Sequence, residues 1–173
     1  MLGIDIVDLK DPKLKVRGDR AFQLILNQYD ELLSHEREYW IVWSAKEAVF
    51  KCRREALNFS PTHIPIQLKE MNKVISFTSS ELSGKIAMTD SYVLALCSDK
   101  MDKIGFQIFE SKEISNSNTT RESIITFFKK RQIEVSIGAD DLNLPILLPF
   151  KEPISLSHHG HWSAFVYPKY ILE

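Results

Sequence analysis

Trp43-Ser44-Ala45-Lys46-Glu47-Ala48-Val49-Phe50-Lys51 is the stretch from which the rest of the chain can be read. Its residues are mostly good helix formers, and Trp43, Glu47 and Lys51 stand at i, i+4 and i+8, on one face of a helix. The spacing predicts a helix that starts at Ser34 as its cap and runs to about Leu57, where Pro61 and Pro65 close the segment. As an exposed ion pair, Glu47–Lys51 would contribute about 0.2–0.5 kcal/mol. The alternative is a partly shielded pair, because this helix is strongly apolar and carries a Trp beside it.

Toward the N-terminus lies Gly3-Ile4-Asp5-Ile6-Val7-Asp8-Leu9, a β-branched run that reads as a buried strand. Its two acids are three apart and so face opposite ways in an extended chain. A basic loop follows with Lys10, Lys13, Lys15, Arg17 and Arg20. Phe22, Ile25, Leu26, Tyr29, Leu32 and Leu33 then form a helical stripe, which predicts a helix from about Asp19. Beyond the second helix, strands are expected at Ile64–Leu68, Val74–Phe77, Lys85–Met88 and Tyr92–Cys97.

A second half opens with a strand at Ile104–Phe109. Ser111 to Thr120 reads as linker, and Thr119 with Glu122 reads as a capping box for a short helix that ends in Lys129-Lys130-Arg131. Strands are expected at Ile133–Ile137, Pro145–Leu148, Ile154–His158 and Trp162–Tyr167. The fold class is therefore α+β, with two halves that each pack a helix on antiparallel strands. A single domain is expected over 1–173, with sub-halves of about 1–103 and 104–173.

Composition narrows the function. Lys plus Arg number 22 against 23 Asp plus Glu, a net charge of −1 that excludes bulk electrostatic binding of nucleic acid. No apolar run reaches the ~18 residues of a membrane span, and Asp5 comes too early for a signal peptide. The two cysteines, Cys52 and Cys97, are too few for a disulfide scaffold, so a cytoplasmic protein is expected. The glycine-rich phosphate motifs and the common hydrolase motifs are absent.

Three features can carry chemistry. Asp5, in an apolar strand, is either a strand-end acid at the surface or half of a hard-cation site, since Mg²⁺ is held by one or two carboxylates with waters and phosphate oxygens. Glu47 and Lys51 are the second. The third is Ile154-Ser155-Leu156-Ser157-His158-His159-Gly160-His161-Trp162, open to three readings: a polar hairpin turning at Gly160, a zinc site, or phosphate recognition by Ser157, His158 and backbone amides.

Taken together, these elements resemble the 4′-phosphopantetheinyl transferase superfamily. Gly3-Ile4-Asp5-Ile6-Val7 looks like its metal-binding strand, and Trp43 to Lys51 matches its W-x-x-K-E-A-x-x-K helix without a gap. Ile154 to Gly160 looks like its Ser-His-x-Gly strand and turn. The Ser-His motif comes second here, as in the short holo-acyl-carrier-protein synthases and unlike the two-half members. Both halves therefore look present in swapped order, which points to a monomer, with the synthases' trimer as the alternative. Val7 stands where two-half members often have a further acid, and Asn143-Leu144-Pro145 stands where they have Gly-Lys-Pro.

The resemblance implies transfer of 4′-phosphopantetheine from coenzyme A to a serine of an acyl or peptidyl carrier protein, as in fatty acid or polyketide biosynthesis. By the same resemblance Asp5 and Glu47 would hold Mg²⁺, and Glu47 and Lys51 would be catalytic. Lys51, Ser157, His158 and Arg17 would bind coenzyme A, with the base either Glu47 or a metal-bound water. The rival reading is a degenerate homologue that binds coenzyme A or a carrier protein without transfer.

Overall fold

The computed structural model describes residues 1–15, 17–34, 37–55 and 58–173. Strand β1 (Leu2–Asp8) is buried along its whole length. Helix α2 (Glu38–Arg53) crosses one of its faces so closely that a Cβ on Gly3 would overlap the Ala48 carbonyl and the Cys52 backbone. On the other face Leu2, Ile4 and Ile6 cluster with Leu94, Leu96, Ala164 and Val166. Gly3, Asp5 and Val7 thus share the helix side, by the two-residue period of a strand.

β1 pairs antiparallel with β5 (Tyr92–Ser98), Asp5 lying opposite Ala95. The sheet continues through β4 (Leu82–Met88), β3 (Val74–Ser79) and β2 (Gln67–Met71) in the order β1-β5-β4-β3-β2. Ile41, Val42, Ala45, Ala48 and Val49 of α2 bury against this sheet, with Phe77, Val93 and Ala95 among their neighbours. A second sheet has the order β10-β11-β6, made of β6 (Ile104–Glu110), β10 (Ser155–His159) and β11 (Trp162–Pro168). Helix α3 (Ser117–Lys129) packs Ile124, Phe127 and Phe128 on its Phe165 and Tyr167. Three short strands, β7 (Ser136–Ala139), β8 (Pro145–Leu148) and β9 (Glu152–Pro153), form a third sheet.

The first two sheets meet without a backbone ladder. β1 is an edge strand, yet side chains of β10 meet its outward N–H groups at Ile4, Ile6 and Asp8. Ile4 N donates to Ser155 Oγ at 3.3 Å, Ile6 N to Ser157 Oγ at 3.3 Å and Asp8 N to His159 Nδ1 at 3.1 Å. Left unmet, each buried N–H would cost about 1–3 kcal/mol. The two-residue period of both strands lets Ser155, Ser157 and His159 face β1 while Leu156 and His158 face away. Asp8 fixes the following turn. Its carboxylate accepts Lys10 N and His161 N, and any Cβ on Gly160 (φ 55°) would strike it.

The α+β class with antiparallel sheets agrees with the expectation, and among the described residues no helix is long and apolar enough to cross a membrane. Several boundaries differ. The first helix, α1 (Asp19–Gln23), is five residues long instead of reaching Leu33. Asn27 and Asp30 side chains bond nearby backbone N–H groups, and Lys46 Nζ takes the Ile25 carbonyl at 2.8 Å, so the backbone finds partners outside a helix. As a result Leu24 and Tyr29 are exposed. Helix α2 starts at Glu38, not at Ser34, and ends with Arg54 in a left-handed conformation; the expected end at Leu57 lies outside the described residues. Helix α3 starts three residues early because Asn116, not Thr119, is its cap. Asn116 Oδ1 accepts the N–H groups of Asn118 and Thr119, and Thr119 Oγ1 accepts Asn116 N.

Candidate active site

β1, α2 and β10 converge on a cavity of about 580 Å³. Asp5, Glu47, Lys51, Ser157, His158 and Arg17 all line it, so every site residue expected from the sequence opens onto one space in one chain. The i, i+4, i+8 face of α2 brings Trp43, Glu47 and Lys51 there, and the odd-numbered face of β1 brings Asp5 and Val7. Asp11, Lys13 and Lys15 close one side, and the Arg17 guanidinium lies 5.7 Å from the ring centres of both Tyr39 and Trp40.

At the centre is a four-residue network of Asp5, Glu47, Lys51 and Ser157. Lys51 Nζ is 3.0 Å from Asp5 Oδ1 and 3.2 Å from Glu47 Oε2. Ser157 Oγ donates to the same Asp5 oxygen at 2.8 Å while accepting Ile6 N. Burial above all, with Asp5 adding to it and Lys51 pulling the other way, pushes the Glu47 carboxyl up to about 7. For Lys51 burial works against the charge, but the two carboxylates outweigh it and hold the ammonium above its ordinary value. His158 makes no hydrogen bond among the described residues. Partial desolvation, then the charges of Lys51 and His159, keep its imidazole below the ordinary value and hence neutral near pH 7.

The oxygens at the centre are donors that a hard divalent cation accepts. Asp5 Oδ2 is buried and has no hydrogen-bond partner, an orphaned anionic oxygen that a cation would satisfy. Two carboxylates suit Mg²⁺, which keeps several waters. Among the described residues there is no group of three or more His, Cys, Asp and Glu placed to hold a metal. The histidines of the hairpin diverge: His159 accepts Asp8 N, His161 lies 3.2 Å from Ser111 O, and His158 faces the cavity.

A second buried ion pair on the same helix was not read from the sequence. Lys46, next to Glu47 but turned about 100° around the helix, is wholly buried and donates to Asp30 Oδ2 at 2.6 Å, Ile25 O at 2.8 Å and Pro61 O at 3.0 Å. The signal was there: a lysine flanked by Ala45 and Ala48 on the apolar side of the helix.

The family model of the 4′-phosphopantetheinyl transferase superfamily matches residues 1–97, more than half of the chain. The chain belongs to that superfamily, whose general activity is phosphopantetheinyl transfer. The match spans β1 to β5 and contains Asp5, Arg17, Glu47 and Lys51, while Ser157 and His158 lie beyond it. The chain has no match among curated proteins or among solved structures.

Proposed function

We propose that the chain transfers 4′-phosphopantetheine from coenzyme A to a serine hydroxyl of an acyl or peptidyl carrier protein, with Mg²⁺ held by Asp5 and Glu47. The observation that carries this reading is the convergence of Asp5, Glu47, Lys51, Ser157 and His158 on one cavity. The serine oxygen forms a bond to the β-phosphorus of coenzyme A, the bond to the outgoing phosphate oxygen breaks, and 3′,5′-adenosine bisphosphate leaves. A bound Mg²⁺ would neutralise charge that grows on the pyrophosphate. Lys51 has a further N–H to give a phosphate oxygen as a point charge. His158 and Arg17 offer donors at the cavity wall, and Ser157 holds Asp5 in place besides lying on the coenzyme A path. The serine proton passes to Glu47 or to a water held by the cation. A second cavity of about 400 Å³ shares Lys51 and Leu156 with the first and leaves room for the rest of coenzyme A.

The arrangement in two halves, about 1–103 and 104–173 of one domain, belongs to the same reading. β1 precedes α2 and pairs with the last strand of its half, β5, whose other neighbour is β4. β6 precedes α3 and pairs with the last strand of its half, β11, whose other neighbour is β10. Since both parts of the cavity come from one chain, a monomer suffices and a trimer is not required. Two free, buried cysteines are compatible with a cytoplasmic setting.

Incubating the protein with coenzyme A, Mg²⁺ and a panel of acyl and peptidyl carrier proteins tests the proposal by the mass gain of the prosthetic arm. Val7, which lines the cavity where a further acid would sit, favours the competing reading of a homologue that binds without transfer. Coenzyme A binding with no mass gain on any carrier would establish that reading instead.

Two further outcomes follow from the site. Glu47 must lose a proton to become a cation ligand, and its carboxyl stands at about 7 instead of the usual range. Mg²⁺ affinity should therefore fall as pH drops below 7, by up to about tenfold per pH unit, with a proton released on binding. Calorimetry in buffers of different ionisation enthalpy reads both; a flat affinity from pH 6 to 8 would remove Glu47 from the cation site. The family resemblance implies a carrier with an acidic helix beside its serine; the chain is nearly neutral overall, so attraction to it rests on local charge such as Lys13 and Lys15 at the cavity rim. Reversing Lys13 and Lys15, which the coenzyme A reading does not use, should raise the KM for carrier and flatten its salt dependence, with kcat nearly unchanged. A rise in the KM for coenzyme A alone would assign them to nucleotide phosphate.

A further inference from the structure

Helix α2 ends on Arg54, whose backbone is left-handed (φ 52°, ψ 37°), a position that ordinarily selects glycine. Here an arginine accepts the strained conformation with both terminal nitrogens of its side chain engaged. Nη2 forms a 2.7 Å ion pair with Asp140 Oδ2; both Nη1 and Nη2 donate to Pro145 O at 3.3 Å, and Nη1 donates to Ile154 O at 3.3 Å. Asp140 is itself fixed, its Oδ1 accepting Leu142 N and Leu144 N. Pro145 begins β8, and Ile154 is the residue before β10. One guanidinium therefore joins the chain three residues after Lys51 to the point where it enters the strand that carries Ser157 and His158.

We propose that Arg54 is a positioning residue that sets the spacing between α2 and β10, so that Lys51 and His158 meet the same polyanion. The inference rests on the proposed coenzyme A site. Lys51 reaches the cavity from the helix and His158 from the strand, so neither element alone sets the width of the site between them. The planar fork of arginine suits the task because it bonds a carboxylate and two carbonyls in one fixed geometry. Arg54 also lines the smaller cavity, which makes direct contact with an anion the competing role. Its two terminal nitrogens are already bonded to Asp140, Pro145 and Ile154, and that favours positioning.

The partner variant separates the two roles. Coenzyme A is titrated calorimetrically, at saturating Mg²⁺, into the wild type and into Arg54→Ala, Arg54→Lys and Asp140→Asn; Mg²⁺ is titrated alone into each. A clamp predicts coenzyme A affinity weakened about tenfold by Arg54→Ala and about threefold by Asp140→Asn, with Arg54→Lys between wild type and Arg54→Ala. Mg²⁺ affinity should stay within about twofold throughout, since Asp5 and Glu47 lie on β1 and α2, which the clamp does not span. Asp140→Asn binding coenzyme A as tightly as the wild type, or tighter because the guanidinium is released, would overturn the proposal. So would Mg²⁺ affinity falling in step with coenzyme A affinity, the mark of general loosening. Should Arg54→Ala fail to fold, the other two variants carry the test. A wild type that binds no coenzyme A would overturn the functional reading, and the clamp with it.

Discussion

Asp5→Asn should lower transfer to carrier protein by at least about 100-fold, the loss typical when a group that stabilises transition-state charge is removed. The substitution keeps the shape of the side chain and can keep the Ser157 bond to Oδ1, so the network of β1 and β10 has a partner of the same size. What disappears is the negative charge and with it the orphaned Oδ2, the buried atom most in need of a cation. Mg²⁺ affinity should fall together with turnover, while the unfolding temperature moves little, because burying an amide is easier than burying a carboxylate. Glu47→Gln should produce the same pair of losses. Mass spectrometry of the carrier protein measures transfer, calorimetry measures Mg²⁺ binding and a thermal melt measures stability. Asp5→Asn turning over at more than about a tenth of the wild-type rate would take this carboxylate out of the mechanism, since a charge loss of that kind costs far more.

The parts of the site that were legible in the sequence share a simple periodicity. The helix period collects Trp43, Glu47 and Lys51, and the strand period sends Asp5 and Asp8 apart, the first to the cavity and the second to the hairpin turn at Gly160. Ser157 and His158 were legible through their motif, but the use of Ser155, Ser157 and His159 as acceptors for the edge of β1 was not. That role depends on a pairing 151 residues away in the chain, and no local pattern encodes it. The length of α1 was misread for the same kind of reason. Its apolar stripe from Phe22 to Leu33 satisfies the helical period, but a lysine from another helix claims the Ile25 carbonyl and Asp30 claims the Ile66 N–H, and the chain follows the buried charges. Likewise Asn116 outcompetes Thr119 as a cap, because its side chain reaches two N–H groups at once.

Those buried charges lead to the largest expected effect on stability. Lys46 and Asp30 have side chains that are 0% and 2% exposed, and each is saturated by hydrogen bonds. Lys46 gives its three protons to Asp30, Ile25 and Pro61, and Asp30 accepts Lys46, Asn27 N and Ile66 N. Lys46→Met keeps the volume and the helix propensity but leaves a buried carboxylate with no countercharge and takes a donor from two carbonyls, of which Pro61 O still accepts Ile64 N. Breaking one side of such a pair costs about 3–5 kcal/mol, which for a chain of this size lowers the unfolding temperature by roughly 10 °C. Removing the second charge as well, in Lys46→Met with Asp30→Leu, should recover only part of the loss. The apolar pair relieves the stranded carboxylate, but Asn27 N and Ile66 N then lose their acceptor, so the double variant stays below the wild type. The contrast with the neighbouring residue makes the test sharp. Lys46→Met should keep most of its transfer activity well below its melting point, since its side chain points away from the cavity, whereas Glu47→Gln should melt normally and transfer almost nothing. Denaturant unfolding of the single and double variants measures the coupling. A loss under about 1 kcal/mol for Lys46→Met would mean that the pair does not hold loop 25–30 against the helix, because breaking a fully desolvated pair on one side cannot be that mild.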